Sequence, residues 1–131
     1  MYYFAMLETE HVNLVSVVWH EKGVCELFSG HANREEALKS ILVNYPEITE
    51  GSHEVIDLLK NYFQGKDCDF SSLKLDFGKS TAFQKHVWEQ TSLIPAGEVR
   101  TYGEIAALVS PGAQRAVGQA LGKNPLPIIV P

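Results

Sequence analysis

The chain changes character near its middle, and this change limits the folds that it can adopt. The first half contains three runs rich in β-branched and aromatic residues, at positions 2–7, 12–19 and 24–29. Such runs predict strands, and a turn at Lys22-Gly23 between the last two favours an antiparallel meander. Beyond Gly78 the chain instead carries short amphipathic segments with helix-start signals. We therefore predict an α+β protein with a sheet-containing lobe at 1–78 and a helical lobe at 79–131.

Two helices and one more strand are predicted in the first lobe. Asn33 and Glu36 are spaced as in a capping box, and a second helix over 52–64 ends at Gly65. The first of these helices has four apolar residues on one face: Ala37, Leu38, Ile41 and Leu42. Alternation of apolar and polar residues over 73–77 predicts a strand before Gly78.

The second lobe has the pattern of three short helices. Capping boxes begin at Thr81 and Thr101, and a break at 110–112 precedes a third helix over 113–121. Apolar residues recur at helical spacing in the first of them until the break at 95–97: Phe83, Val87, Trp88 and Leu93. Two helices around a three-residue turn suggest a helix-turn-helix, although any short helical hairpin gives the same pattern.

The third helix of this lobe is unusually poor in bulky side chains. Its small residues are Ala113, Ala116, Gly118, Ala120 and Gly122. Because internal glycines destabilise a helix, close approach to a partner is expected, either another helix or a nucleic-acid groove. Arg115 lies near the amino end, where a cation opposes the helix dipole. A phosphate contact or an inserted side chain would explain this arginine.

Composition favours a soluble chain with one acidic and one mildly basic half. The 131 residues are 45% hydrophobic, without a membrane-length apolar run or a basic signal-peptide start, so we expect a cytoplasmic protein, or a nuclear one in a eukaryote. Residues 1–78 carry a net charge of −7 and residues 79–131 a net charge of +2. This asymmetry fits a polyanion-facing second half as well as it fits chance.

Cysteine and acidic residues give no convincing metal site. Cys25 and Cys68 are too few for a disulfide framework or a four-ligand site, so reduced thiols are expected. Four aspartates could suggest a two-metal nuclease, but a solvated acidic face is the favoured interpretation: Asp57, Asp67, Asp69 and Asp76. We therefore predict neither a metal nor another cofactor.

Several motifs in order resemble one family, the O6-alkylguanine-DNA alkyltransferases. They are Phe83-Gln84, Val87-Trp88, Ile94-Pro95-Ala96-Gly97-Glu98, Thr101-Tyr102-Gly103-Glu104-Ile105-Ala106, Arg115-Ala116-Val117-Gly118, Asn124-Pro125 and Ile128-Ile129-Val130-Pro131. Tyr62-Phe63-Gln64-Gly65-Lys66 is similar to that family's interdomain region. The resemblance covers about residues 55–131. It implies a ribonuclease-H-like first lobe and a winged-helix-like DNA-binding second lobe.

The resemblance also implies a ligand and residue roles. The expected partner is duplex DNA carrying O6-alkylguanine, bound through its minor groove by a monomer that flips the damaged base out. Arg115 matches the arginine that fills the vacated stack, and Tyr102 the tyrosine that assists base rotation. Asn124 matches the asparagine that ties the recognition helix to the active-site turn, and Pro127 a wall of the alkyl pocket. The other implied DNA-binding residues are Gln84, Gly103, Ala113, Ala116 and Gly118.

The family's reaction is a single alkyl transfer from guanine O6 to a cysteine thiolate activated by an adjacent histidine and a glutamate. That cysteine follows the proline that Pro131 matches, so the chain is expected to end one residue before its nucleophile. The apolar, proline-framed tail at 124–131 is predicted to be a stiff extended arm with a missing continuation. His86 is assigned no role as a base.

Three hypotheses remain open at this stage. The favoured one is an alkyltransferase of which this chain is a truncated copy. A second is a non-catalytic relative that binds alkylated DNA. The third is a helix-turn-helix regulator that reads the major groove. The small number of base-reading side chains near Arg115 argues against it, since only Gln114 and Gln119 are candidates.

Overall fold

The computed structural model describes residues 1–66, 68–78, 80–94, 104, 105, 107 and 114–129. The chain divides into two compact units, a first unit Met1–Asp76 and a second unit Phe77–Pro131. A sheet and two helices form the first unit, and the helices described beyond it belong to the second. The predicted α+β class is confirmed. No helix among the described residues is long and apolar enough to span a membrane.

The sheet of the first unit has the order β3-β2-β1-β4. Its strands are β1 (Tyr3–Glu8), β2 (Leu14–His20), β3 (Gly23–His31) and β4 (Thr49–Glu50). The first three form the predicted antiparallel meander, and β4 pairs parallel to β1. Strand β4 has no recognisable sequence signal, because it has only two residues and both are exposed. Strand β2 is central and is buried from Leu14 to Trp19.

The turn between β2 and β3 lies one residue earlier than predicted. His20 pairs with Gly23, so Glu21 and Lys22 form the two-residue loop. Gly23 has φ +137°, and a Cβ at this position would lie 2.6 Å from the carbonyl oxygen of Lys74. Glycine is needed here both for its backbone conformation and for the close approach of the 73–76 segment.

Helix α1 (Arg34–Asn44) packs on the sheet through Ala37 and Ile41, which are fully buried. Asn33 caps it as predicted, since its side chain accepts a hydrogen bond from the Glu36 backbone N–H at 2.9 Å. The Glu36 carboxylate accepts from the Ala32 N–H rather than from that of Asn33, so the reciprocal half of the box is absent. Leu42 was expected on the buried face but is 41% exposed. It follows Ile41 by one residue, which is about 100° around a helix.

Helix α2 (Glu54–Phe63) has a histidine as its amino-terminal cap. Nδ1 of His53 accepts a hydrogen bond from the Val55 N–H at 3.0 Å. Val55 and Leu59 are buried. The predicted stop is confirmed, because Gly65 adopts φ +75° directly after the C-cap residue Gln64.

The cap at His53 leads to a prediction about how the stability of the protein depends on pH. Burial lowers the pKa of His53 below its ordinary 6.5, with Glu54 acting in the opposite direction. A lowered folded-state pKa contributes stability that is present above the unfolded pKa and is lost as the pH falls through the folded pKa. We expect the free energy of unfolding to fall more steeply on acidification below 6.5 in the parent than in His53→Asn, whose amide caps without titrating. Urea unfolding at a series of pH values measures both slopes, and equal slopes would remove His53 as the cause.

The predicted strand over 73–77 is wrong. Its only sheet pairing in the described part of the chain is a single parallel bridge between Val24 and Leu75. The Val24 N–H donates to the Lys74 carbonyl and the Asp76 N–H to the Val24 carbonyl, each at 2.8 Å. On either side, the Leu73 N–H bonds the Phe70 carbonyl and the Ser80 N–H bonds that of Phe77. These turns divert the backbone, so the bridge cannot extend into a ladder.

Candidate nucleic-acid interface

Helix α3 (Ala82–Ser92) opens the second unit with the capping box that the sequence predicts. The Gln84 N–H donates to Thr81 Oγ1 and the Thr81 N–H donates to Gln84 Oε1, both at 3.1 Å. Val87 and Trp88 are buried as expected. The prediction that Leu93 lies on the same apolar face is wrong: this residue is 69% exposed, because the helix ends at Ser92.

The capping role of Gln84 does not conflict with its predicted contact to the DNA backbone. The cap uses Oε1, whereas a phosphate would accept a hydrogen bond from the amide Nε2. The side chain is half-buried, with its amide at the amino end of α3. Contact between Gln84 and DNA remains a prediction.

Helix α4 (Gln114–Gly122) is the predicted third helix of this lobe. Val117 and Ala120 face inward, at 0% and 3% exposure. Trp88, itself 1% exposed, donates from Nε1 to the Ala120 carbonyl at 2.7 Å. The Phe77 ring lies 5.0 Å from the Trp88 ring. One indole thus joins α3 to the last turns of α4, a link that the sequence could not identify because it gives no partner for Trp88.

The outward face of α4 carries the charge. Arg115 and Ala116 are exposed, and Gly118 is half-buried. None of the acidic side chains that the structure describes forms a salt bridge with Arg115. Small residues in this helix were explained by close approach either to another helix or to a nucleic-acid groove, and these two explanations apply to different positions. Ala120 permits contact with Trp88, whereas nothing in the described packing requires a small residue at Ala116.

The segment after α4 forms a turn, so the predicted extended arm is wrong. Asn124 Oδ1 accepts a hydrogen bond from the Leu126 N–H at 2.9 Å, and Ile128 adopts φ +75°. A left-handed conformation at a β-branched residue costs about 1–3 kcal/mol. Leu126 and Ile129 are buried on either side of it, while Pro127 is exposed. Burial of the two aliphatic side chains holds the strained turn in place.

Several predicted site residues fall outside the described residues: Tyr102, Gly103 and Ala113. Within the predicted second helix, Glu104, Ile105 and Ala107 are helical and Ile105 is buried. The structure therefore places Arg115, Ala116 and Gly118 on one helix and Asn124 and Pro127 in the turn that follows it.

The two thiols are poorly suited to act as nucleophiles. Burial raises the pKa of Cys25 to about 11, and its Sγ lies 3.5 Å from the Val18 carbonyl. Burial also raises the pKa of Cys68, whose Sγ donates to the Leu58 carbonyl at 3.1 Å. Because the thiolate is the reactive form, neither residue is activated at neutral pH. Across the described ranges, no group of three or more His, Cys, Asp or Glu is arranged to hold a metal ion.

The sequence is similar to a known protein family and to characterised relatives. The family model for the DNA-binding domain of 6-O-methylguanine DNA methyltransferase matches residues 82–131. The constitutive methylated-DNA--protein-cysteine methyltransferase of Bacillus subtilis is 37% identical over 132 residues, which are 100% of this chain and 78% of that protein. The enzyme of the same name from Mycobacterium tuberculosis is 49% identical over 77 residues, covering 58% of this chain and 46% of the relative. The sequence matches to the mycobacterial relatives thus span about half the length of those proteins.

Solved structures agree with the sequence comparison. The crystal structure of the Mycobacterium tuberculosis O6-methylguanine methyltransferase has a TM-score of 0.78 at 32% identity, covering 100% of this chain and 76% of that one. OGT from the same organism in complex with DNA has a TM-score of 0.76 at 31% identity, covering 98% of this chain and 74% of that one.

Proposed function

Because the chain belongs to the methylated-DNA--protein-cysteine methyltransferase family, we propose that its protein repairs O6-alkylguanine in duplex DNA by alkyl transfer to a cysteine. In this reaction a thiolate sulfur attacks the alkyl carbon and the bond from that carbon to O6 breaks. Guanine leaves with the electron pair and takes up a proton, and a thioether remains on the protein. Each protein molecule reacts once. The site of action is the compartment that holds DNA, which is the cytoplasm, or the nucleus of a eukaryotic cell.

The exposed guanidinium of Arg115 is the observation that carries the proposal. It stands on the outward face of α4 without a salt bridge to a described acidic side chain, while the inward face is fixed by Trp88. A cation near the amino end of a helix gains nothing from the helix dipole. Insertion into the stack that a flipped guanine vacates would use both its charge and its planar group.

The remaining residues have supporting roles in this proposal. Residues 1–78 form the ribonuclease-H-like domain and 79–131 the helix-turn-helix domain, which binds the minor groove as a monomer. Tyr102 rotates the target nucleotide, Asn124 fixes the turn after α4, and Pro127 lines the alkyl pocket. The contacts to the DNA backbone and groove come from Gln84, Gly103, Ala113, Ala116 and Gly118.

The acceptor is proposed to be neither Cys25 nor Cys68. Both thiols have raised pKa values and lie in the first unit. The family's order of motifs places the acceptor immediately after the proline that matches Pro131. The 131 residues therefore supply lesion recognition in this proposal, and neither of their two thiols is the nucleophile.

A binding comparison tests the proposed recognition. Two labelled duplexes differ only in one guanine, which is unmodified in the first and O6-benzylated in the second. Stopped-flow fluorescence anisotropy measures binding before alkyl transfer proceeds. We expect tighter binding of the benzylated duplex because a modified base is easier to unpair and finds a pocket. Equal affinities would contradict the proposal, and a preference for one base sequence without a lesion would support a major-groove regulator instead.

A further inference from the structure

The turn after α4 contains a backbone conformation that its amino acid disfavours. Among the described residues, only Asn13 and Ile128 have a positive φ without being glycine, at +59° and +75°. Asparagine tolerates the left-handed region, whereas a β-branched isoleucine is strongly disfavoured there. Strain of this kind persists only where surrounding packing imposes it, and it concentrates at functional sites.

The packing on either side of Ile128 imposes this conformation. Leu126 and Ile129 are 0% and 4% exposed, so both side chains are held in the interior of the second unit. Asn124 fixes the start of the turn through its hydrogen bond to the Leu126 N–H. The chain must reverse between two inward-facing residues that are three positions apart, and Ile128 provides that reversal.

The residue presented by the turn is Pro127. It is exposed, although buried Leu126 precedes it and buried Ile129 follows two residues later. The proline ring fixes its own φ near −65°, so the direction of the ring depends on the backbone of its neighbours. The left-handed conformation at Ile128 therefore sets where the Pro127 ring points.

We propose that Ile128 is a positioning residue for lesion discrimination: its left-handed backbone holds Pro127 against the alkyl group of the flipped base. This inference rests on the proposed function. The Ile128 side chain makes no contact with the lesion in it, because the effect passes through the backbone. Rigidity of the turn, rather than the identity of the side chain, decides how well the alkyl group is recognised.

Two substitutions separate backbone geometry from side-chain packing. Ile128→Asn removes the aliphatic side chain but retains a residue that tolerates the left-handed conformation. Ile128→Gly removes the same packing and also frees the backbone to sample other conformations. The readout is the ratio of affinities of the full-length protein for a benzylated and an unmodified duplex, measured by stopped-flow anisotropy. A general loss of protein stability would weaken binding to both duplexes alike and leave this ratio of affinities unchanged.

We expect Ile128→Gly to lower the ratio about tenfold, the size of a lost hydrophobic contact in a specificity pocket. Ile128→Asn should stay within about twofold of the parent. If both variants keep the ratio of affinities of the parent, or if both lower it equally, the inference is overturned while the proposed function stays in place. A parent ratio of one would overturn both. If Ile128→Gly does not fold, loss of the ratio in Ile128→Asn still refutes the inference, and its retention supports it.

Discussion

Arg115→Ala should weaken binding to a duplex with O6-alkylguanine by about 30-fold, or about 2 kcal/mol, the usual loss for an arginine at the centre of an interface. Its folding should change little, because the side chain is exposed and no salt bridge joins it to a described acidic residue. In the proposed mechanism, the flipped-out base leaves a gap in the stack, and the Arg115 side chain is proposed to fill that gap. Stopped-flow anisotropy measures the affinity, and thermal unfolding measures the stability.

Two matched variants define what Arg115 contributes. Arg115→Lys keeps the charge but loses the planar guanidinium, so it should recover little affinity if the side chain is inserted and most of it if it only contacts a phosphate. Lys123→Ala removes another exposed cation, one residue after the end of α4, and should cost far less. Equal affinity of Arg115→Ala and the parent would refute the role of this residue.

Trp88→Ala should destabilise the second unit by about 3–5 kcal/mol, the range for removing a large buried aromatic side chain. The indole is 1% exposed, packs against Phe77, and satisfies the Ala120 carbonyl through its N–H. Its loss leaves a cavity and an unpaired buried carbonyl at the same time. Urea unfolding monitored by circular dichroism measures the change, and a loss below about 1 kcal/mol would contradict the packing described for α3 and α4.

Two controls divide this effect into its parts. Trp88→Phe keeps most of the ring but removes the donor to Ala120, so it should cost about 1–3 kcal/mol for the unsatisfied carbonyl. Leu93→Ala shortens an apolar side chain that is 69% exposed just after the same helix, and it should leave stability nearly unchanged. A similar loss in Leu93→Ala would show that burial at Trp88 is not the cause.

The elements that the sequence predicted well have strong local signals. The meander followed from three dense β-branched runs, and the caps at Asn33 and Thr81 followed from side chains that bond their own helix ends. Strand β4 and the single bridge at Leu75 depend on pairing with distant residues, so local pattern could not identify them. The 73–77 segment alternates like a strand but is bounded by turns, which limited it to that bridge.

The predictions for the site also succeeded where the sequence signal is local and failed where the structure depends on packing or on distant residues. Arg115 was recognisable because a cation near a helix amino end has no local explanation, and the structure places it on an exposed face. The extended arm predicted for the tail is wrong because prolines favour extended backbone, whereas burial of Leu126 and Ile129 forces a turn through a strained Ile128. The Trp88–Ala120 hydrogen bond joins residues 32 positions apart and has no signature in either segment.

Intact mass spectrometry of the full-length protein, before and after incubation with O6-benzylguanine, tests the central claim most directly. Peptide mapping then locates any adduct. We expect one benzyl group per molecule, on a cysteine other than Cys25 and Cys68, because burial raises the pKa of both these thiols. An unchanged mass would contradict alkyl transfer and leave lesion binding without catalysis as the remaining function. An adduct on Cys25 or Cys68 would contradict the assignment of the acceptor.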